Sequence, residues 1–571
     1  MKRHETCSTP LSSEVKIPAL ANPIANKSFA LKLIAAVLLA LLFTFISPPK
    51  AFANEPAVLT FAPGSPSSGV GYTWDGEGTL TIDNLDLSAT SQHGIKLTSN
   101  ATIIVLGTNT ITLSVDAAAT EALEGICSST GDLSIIGDGS LTIRTNLTQD
   151  PKDITVPLLG ISADTGHLTI GKAQAGGPTL NVTATQCSIY AESGIDIFKS
   201  NVTTHTLGAE GGSYGIYASN GSIAINDAEI TNTVTGFDIT NCGILAQGGN
   251  LTITGGSADV RTSVSDPSAA DVSLMSNNGN IILDGITLNA AASESGAALQ
   301  AKTANTGPGQ GSIQATASTI KVSGEIGLEA MRGITLDQSR VTGSTVERFM
   351  WSSNMPITIA ASTVDGTSTG GFMTSGILSW SGIDIVNSTV TMIATGEASR
   401  GIVSSVDPLS ITNSTVIAQG TEAGIGATVN RLAPSDPAYI VLGSNMAISE
   451  GGSISHYVET LPDQVTSFWS FSPTGLFEVV DGHYTGVSNR VVLQPENPVP
   501  PTPPTPVPPE PQPLPNPSPN PSPSPAAQSL AATGDTMPLM PIGLLAAGAG
   551  LLLVCVFLSY KAHTKAINKQ K

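Results

Sequence analysis

From Gly94 onward one short phrase recurs along the chain: Gly, Ile, a variable residue, Ala or Ser, a turn, an alternating segment such as Leu-Thr-Ile, then Asn or Ser, Thr and Val. Clear copies begin at Gly94, Gly125, Gly160, Ser188, Gly215, Gly243, Ser273, Ala298, Gly327, Gly376, Gly401 and Gly424, with a degraded copy near Phe349. The 330 residues from Gly94 to Gly424 hold twelve intervals, a mean of 27.5 residues per copy. Self-similarity at such a period means that each copy is one unit that cannot bury its apolar face alone and must stack on its neighbours.

Within a copy the apolar residues alternate with a period of two, as in Leu251-Thr252-Ile253, Ile383-Asp384-Ile385 and Leu409-Ser410-Ile411. Val, Ile and Thr dominate these stretches, which makes them strands and excludes helical repeats. Three short strands and three turns use up the length of a copy. Winding such copies successively gives an all-β solenoid, and the pattern resembles the right-handed parallel β-helix shared by pectin-degrading enzymes, phage tailspikes and many bacterial adhesins. That resemblance covers roughly residues 90 to 440 and predicts about 13 coils, a rod of about 60 Å at 4.8 Å per coil. A leucine-rich horseshoe would need leucines at fixed spacing and an Asn in every copy, and a β-propeller larger units with recurring aromatics; neither pattern occurs.

The two ends carry signals of another kind. Lys27 and Lys32 precede an apolar run from Leu33 to Ile46, and Ala51-Phe52-Ala53 follows, a small-x-small pattern that a signal peptidase reads. Residues 1–53 are therefore predicted to be a signal peptide, cleaved between Ala53 and Asn54; an uncleaved membrane anchor is the alternative. At the other end stand Leu530-Ala531-Ala532-Thr533-Gly534, an apolar stretch over 537–559 long enough for one transmembrane helix, and a basic cytoplasmic tail over 560–571.

This order of motif, span and tail resembles the cell-wall sorting signal of Gram-positive sortase substrates, in the Leu-Ala-x-Thr-Gly variant of some actinobacterial surface proteins. The resemblance implies that a sortase cysteine attacks the carbonyl of Thr533, releases the segment from Gly534 and passes the acyl group to an amine of peptidoglycan. It implies a secreted protein held covalently in the cell wall, the substrate of that reaction and not its enzyme. Proline recurs almost every second residue from Pro498 to Pro525, so 497–529 is predicted to be a disordered but extended polyproline linker through the wall.

Without the leader and the segment from Gly534 on, 14 basic residues face 41 acidic ones, a net charge of −27. Nucleic acid and anionic lipid are thus poor partners. Cys127, Cys187 and Cys242 are left in the exported part, an odd number that argues against a disulfide framework. No Cys/His cluster at metal-ligand spacing is visible, so no metal and no cofactor is expected, and the three cysteines read as small buried fillers. Asp83, Asp227, Asp284, Asp337, Asn387 and Asn413 recur just after the second strand of a copy. They read as bend residues tolerant of the left-handed conformation, in preference to a calcium column. Asn-x-Ser/Thr triplets at Asn100, Asn181, Asn250, Asn387 and Asn413 read as repeat grammar and not as glycosylation sites.

Both ends of a strand stack need covers. Residues 54–93, with Tyr72 and Trp74, are predicted to cap the first coil, 94–436 to form the repeats, and 437–496 to cap the last coil. The second cap holds seven of the 25 aromatic residues, among them Tyr457, Trp469 and Tyr484, a possible platform for a host or microbial glycan; an apolar seal is the alternative. Trp351 and Trp380 mark either a groove or packing beneath a loop. Three functions are open: an adhesin or carbohydrate-binding surface protein, a polysaccharide lyase or hydrolase of the same fold, and a passive spacer. Catalysis would need paired carboxylates or a base among cationic side chains, whereas Asp337, Asp365 and Asp384 have no cationic partner in sequence, so the chain is read as a non-enzyme.

Overall fold

A computed structural model describes residues 58–496 except 90–92, 115–121, 147–157, 209–211, 237–240, 267–268, 303–310, 372–373, 431–438, 462–463 and 481–482. The signal peptide with Ala51, Ala53 and Asn54, the linker, the sorting motif, the apolar span and the tail lie outside the described residues. Every regular element described is a strand, and the strands form one sheet of 29, one of 16 and a small pair. Among the described residues no helix is long and apolar enough to cross a membrane. The architecture is a parallel-strand solenoid of the β-helix kind, as the repeat predicts.

A coil has three strands, as in Cys187–Ala191, Gly194–Phe198 and Asn201–Thr206. The first strand of each coil pairs in parallel with the first strand of the next. Second strands pair likewise with second strands, and third with third. Like residues therefore stack on like. In the first strands Ile95, Ile126, Ile161, Ile189, Ile216, Ile244, Leu274, Leu299, Leu328, Met350, Ile377, Ile402 and Ile425 occupy one continuous register and are all buried. The second strands contribute Ile197, Ile225, Ile253 and Leu283, and the third Leu180, Val202, Ile230 and Ala258. One apolar core runs through all of them. Branched aliphatic side chains suit it because each sits about 4.8 Å from its copies, within van der Waals reach.

The glycine that opens most of the phrases has a packing reason. A Cβ on Gly125 would lie 2.5 Å from Ile143 Cγ2 and 2.6 Å from the Gly160 carbonyl, and one on Gly376 would lie 2.3 Å from Met392 Cγ. In these coils the third strand's inward side chains come too close to the first strand for a Cβ, whereas Ser188, Ser273 and Ala298 are accommodated, fully buried, at the same position of other coils. The degraded copy inverts the arrangement. Phe349 stands where the glycine belongs and is fully buried, while the facing third-strand positions are Gly343 and Gly366. A Cβ on Gly366 would meet the Phe349 ring at 2.7 Å, so the space has been handed from one wall to the other.

The corner between second and third strands turns on a single left-handed residue in many coils. Asp227, Asn387 and Asn413 occupy it with φ of 51°, 51° and 47°, whereas Asp83, Asp284 and Asp337 stand one residue earlier, before Asn84, Gly285 and Gln338. The bend role expected of this Asp/Asn column therefore holds for the three residues named first, and the other three close the preceding strand. After the bend comes a buried serine in successive coils, Ser318, Ser339, Ser362, Ser388 and Ser414. The N–H of Ser339 donates to Ser362 Oγ at 3.0 Å, and that of Ser362 to Ser388 Oγ at 3.1 Å. Each hydroxyl donates to the carbonyl two residues back, as Ser388 does to Val386 at 2.7 Å. The corner breaks the sheet ladder, and the hydroxyl of the next coil satisfies the amide it leaves over. Asn387-Ser388-Thr389 and Asn413-Ser414-Thr415 are thus bend, ladder serine and strand start.

Parallel pairing begins with Leu59–Phe61 against His93–Leu97, next to an antiparallel hairpin of Ser67–Gly69 and Tyr72–Trp74 in which Trp74 is buried against Phe61. At the far end pairing turns antiparallel: Gln464–Ser472 covers Ala423–Asn430, and Ser453–Leu461 covers Gln464–Ser472.

The exchange of volume at Phe349 gives a test by denaturant unfolding. Phe349→Ala should cost about 3–5 kcal/mol, and Gly366→Ala should also destabilise. Because both changes act on one space, the double variant should lose clearly less than the sum; strict additivity would refute the coupling.

Candidate functional site

On the first strands two outward positions per coil flank the inward glycine and isoleucine, and parallel pairing turns them into two rows. One runs His93, Glu124, Leu159, Cys187, Tyr214, Cys242, Val272, Ala297, Ile326, Arg348, Ser375 and Arg400. The other runs Lys96, Cys127, Ser162, Tyr190, Tyr217, Leu245, Met275, Gln300, Glu329, Trp351, Leu378 and Val403. Chemistry-bearing side chains gather on this face in three zones.

The zone nearest the C-terminal end of the rows is built around Trp351 and Trp380. Trp380 follows the strand Ser375–Ser379, its amide donating to the Ser352 carbonyl at 3.0 Å, and its side chain is 50% exposed. The two indoles meet edge to face with ring centroids 6.5 Å apart. Arg348 lies over the Trp351 ring at 4.6 Å and pairs with Glu347 at 2.5 Å, so its planar cation is shared between an aromatic face and a carboxylate. Gln300 donates to Glu329 in the same row. Trp351 Nε1 and Arg348 Nε are buried donors that make no hydrogen bond within the protein. Burial, with the charges of Glu347 and Glu329 against the opposing charge of Arg348, pushes the Glu325 carboxyl above the ordinary glutamate range.

In the middle zone Tyr214 and Tyr217 stack with centroids 4.6 Å apart, and Tyr190 lies 5.6 Å from Tyr217. Cys187 and Cys242 sit above and below Tyr214, buried and free, as fillers of this face. The N-terminal zone is polar. His93 Nδ1 lies 3.0 Å from Glu124 Oε2, Ser162 Oγ donates to Glu124 Oε1 at 3.1 Å, and Cys127 Sγ donates to Asp164 Oδ2 at 3.4 Å. Burial drives Glu124 upward, but His93, Cys127 and Ser162 together hold it below the ordinary range. Burial, then Glu124 and Asp164, push the Cys127 thiol far up, the wrong direction for a thiolate nucleophile.

Of the residues expected from sequence to form a glycan platform, Tyr457 and Trp469 lie on the C-terminal hairpin. There Tyr457 is opposite Phe468 and Trp469 is opposite His456, so Tyr457 and Trp469 point to opposite faces of the ribbon. Trp469 stacks on His456 at 4.5 Å and packs against the core, while Tyr457 lies 6.4 Å from Phe477. Tyr484 belongs to a separate two-stranded ribbon, paired with Val479. Trp351 and Trp380, in contrast, come together. Asp337 and Asp384 stand on second strands two coils apart and out of register, and Asp365 on a third strand, so these carboxylates are not brought together. Arg348, Glu347, Glu329 and the His93 cluster were not singled out in the sequence; aligning the copies on Gly-Ile places His93 over Glu124 and Glu329 over Trp351.

Comparison with family models, with curated proteins and with solved structures gives no match to this chain.

Raising the Glu325 pKa means that the folded state favours its protonated form. The resulting penalty is absent below the ordinary glutamate pKa, grows as pH rises through the raised value and is complete above it. Glu325→Gln should therefore raise the unfolding midpoint at neutral pH and leave it unchanged near pH 3; an equal effect at both pH values would contradict the assignment.

Proposed function

We propose that this chain is a secreted surface protein, attached through Thr533 to peptidoglycan by a sortase, whose right-handed β-helix of about 13 coils presents a carbohydrate-binding face. The order of leader, Pro-rich linker, Leu530-Ala531-Ala532-Thr533-Gly534, apolar span and basic tail supports export and anchoring. The binding reading rests on one observation. An exposed indole, Trp380, stands edge to face with Trp351 beside Arg348, Glu347, Glu329 and Gln300 on one sheet face. Sugar rings present apolar C–H faces and a rim of hydroxyls. An indole covers the first, and a planar guanidinium, an amide and carboxylates hydrogen-bond the second.

The opposite orientations of Tyr457 and Trp469 move the proposed platform from the C-terminal hairpin to the Trp351–Trp380 zone. A lyase or hydrolase reading draws on the carboxylates of Glu325, Glu329 and Glu347, and a passive spacer would leave this face without a ligand.

The purified full chain should bind a restricted set of oligosaccharides on a glycan array, and Trp380→Ala, at a half-exposed position, should weaken that binding at least tenfold with the unfolding midpoint kept. A flat array rejects the binding reading, and shortening of a polysaccharide during incubation would replace it with hydrolysis or elimination. In the producing cells, Thr533→Ala should shift the protein from the wall fraction to the membrane or medium; unchanged wall attachment would exclude the sortase route.

A further inference from the structure

We propose that His93, Glu124 and Cys127 form a zinc-type metal site, with Asp164 beside the thiol as a fourth ligand. This inference is independent of the carbohydrate reading and concerns the opposite end of the same face. One ligand atom from each of His93, Glu124 and Cys127 lies within 4.8 Å of the others. Zinc bonds of about 2.0–2.3 Å in tetrahedral geometry separate ligand atoms by roughly 3.5 Å, so the ligand atoms already stand near the spacing that such an ion requires. Asp164 Oδ2 is already 3.4 Å from Cys127 Sγ.

A second observation points to a ligand. His93 Nδ1 is buried and 3.0 Å from Glu124 Oε2, yet it makes no hydrogen bond of acceptable geometry to any group in the protein. A cation between the two atoms would satisfy both. The outer shell is present as well, because Ser162 Oγ donates to the other oxygen of Glu124 at 3.1 Å and fixes the carboxylate's orientation. Lys96 Nζ lies 3.4 Å from His93 Nε2. With a metal on Nδ1, Nε2 carries the ring proton and the ammonium turns outward, where its charge balances the single negative charge left by two carboxylates, one thiolate and a divalent ion.

Mixed nitrogen, sulfur and oxygen ligands select zinc or a similar borderline ion over calcium or magnesium, which take oxygen alone. On binding, the Cys127 S–H bond is exchanged for an Sγ–metal bond and the proton passes to solvent. The ligands come from three consecutive coils: His93 pairs with Glu124 across the first interface, and Ser162, two residues before Asp164, pairs with Cys127 across the second. An ion here would staple three successive coils near the N-terminal end of the solenoid.

The test uses the reduced full chain, stripped of metal with a chelator and titrated with Co²⁺ and then Zn²⁺. Expected are one cobalt ion per chain with a thiolate-to-cobalt charge-transfer absorption, its displacement by zinc, and a zinc-dependent rise in the unfolding temperature. Cys127→Ala should abolish the absorption and the rise, while Cys187→Ala, buried in the same face outside the cluster, should keep both. No charge-transfer band in the unaltered chain, or a band that survives in Cys127→Ala, overturns the proposal. Should Cys127→Ala fail to fold, alkylation of the unaltered chain decides: zinc must protect Cys127 in peptide maps, and labelling of Cys127 unaffected by zinc overturns the site.

Discussion

Each inward residue in this molecule touches its own counterpart in the coil before and the coil after. That constraint fixes the rest. A side chain acceptable at one level must be acceptable to nearly identical neighbours about 4.8 Å away, which favours aliphatic residues of one size and disfavours charge. The glycine corner is the tightest expression of it, since the third strand's side chains fill the room that a Cβ would need. Where the rule is broken, at Phe349, it is broken on both sides together, with Gly366 giving up the volume that the ring takes.

Because stability resides in the inward rows, the outward rows of the first strands are free to carry chemistry. They do so unevenly. A polar cluster of His, Glu, Cys, Ser and Asp occupies one end, stacked tyrosines the middle, and a tryptophan pair with Arg348 and three glutamates the other end. In a protein with few aromatic residues this concentration on one face is the strongest functional sign, and strand register alone creates it.

Strand content, the repeat length, the stacking of like residues and the bend role of Asn387 and Asn413 were legible in the sequence, because each depends on residues close together within one copy. The face-level sites were not. His93 and Cys127 are 34 positions apart, and Trp351 and Trp380 are 29 apart, so their contacts appear only when copies are aligned residue by residue. The proposed metal ligands leave no Cys/His motif for the same reason, since His93, Cys127 and Asp164 come from different coils with no short spacing between them. The aromatic count of the C-terminal cap suggested a platform, but alternation along an antiparallel ribbon sends Tyr457 and Trp469 to different sides, which a count cannot reveal. The serine ladder was present in the phrase as a mere Ser, and only the orphaned amide at each corner explains it.

The reversal of strand direction after Asn430 bears on how such molecules behave when crowded. A stack of parallel strands that simply stopped would leave a row of amides and carbonyls in the same pattern as its own interior, an invitation for a second molecule to continue it. The strand Gln464–Ser472 answers that pattern from within the same chain and in the opposite sense, so the growth direction is lost. Copies packed side by side can thus stay separate individuals and not lengthen end to end into fibres.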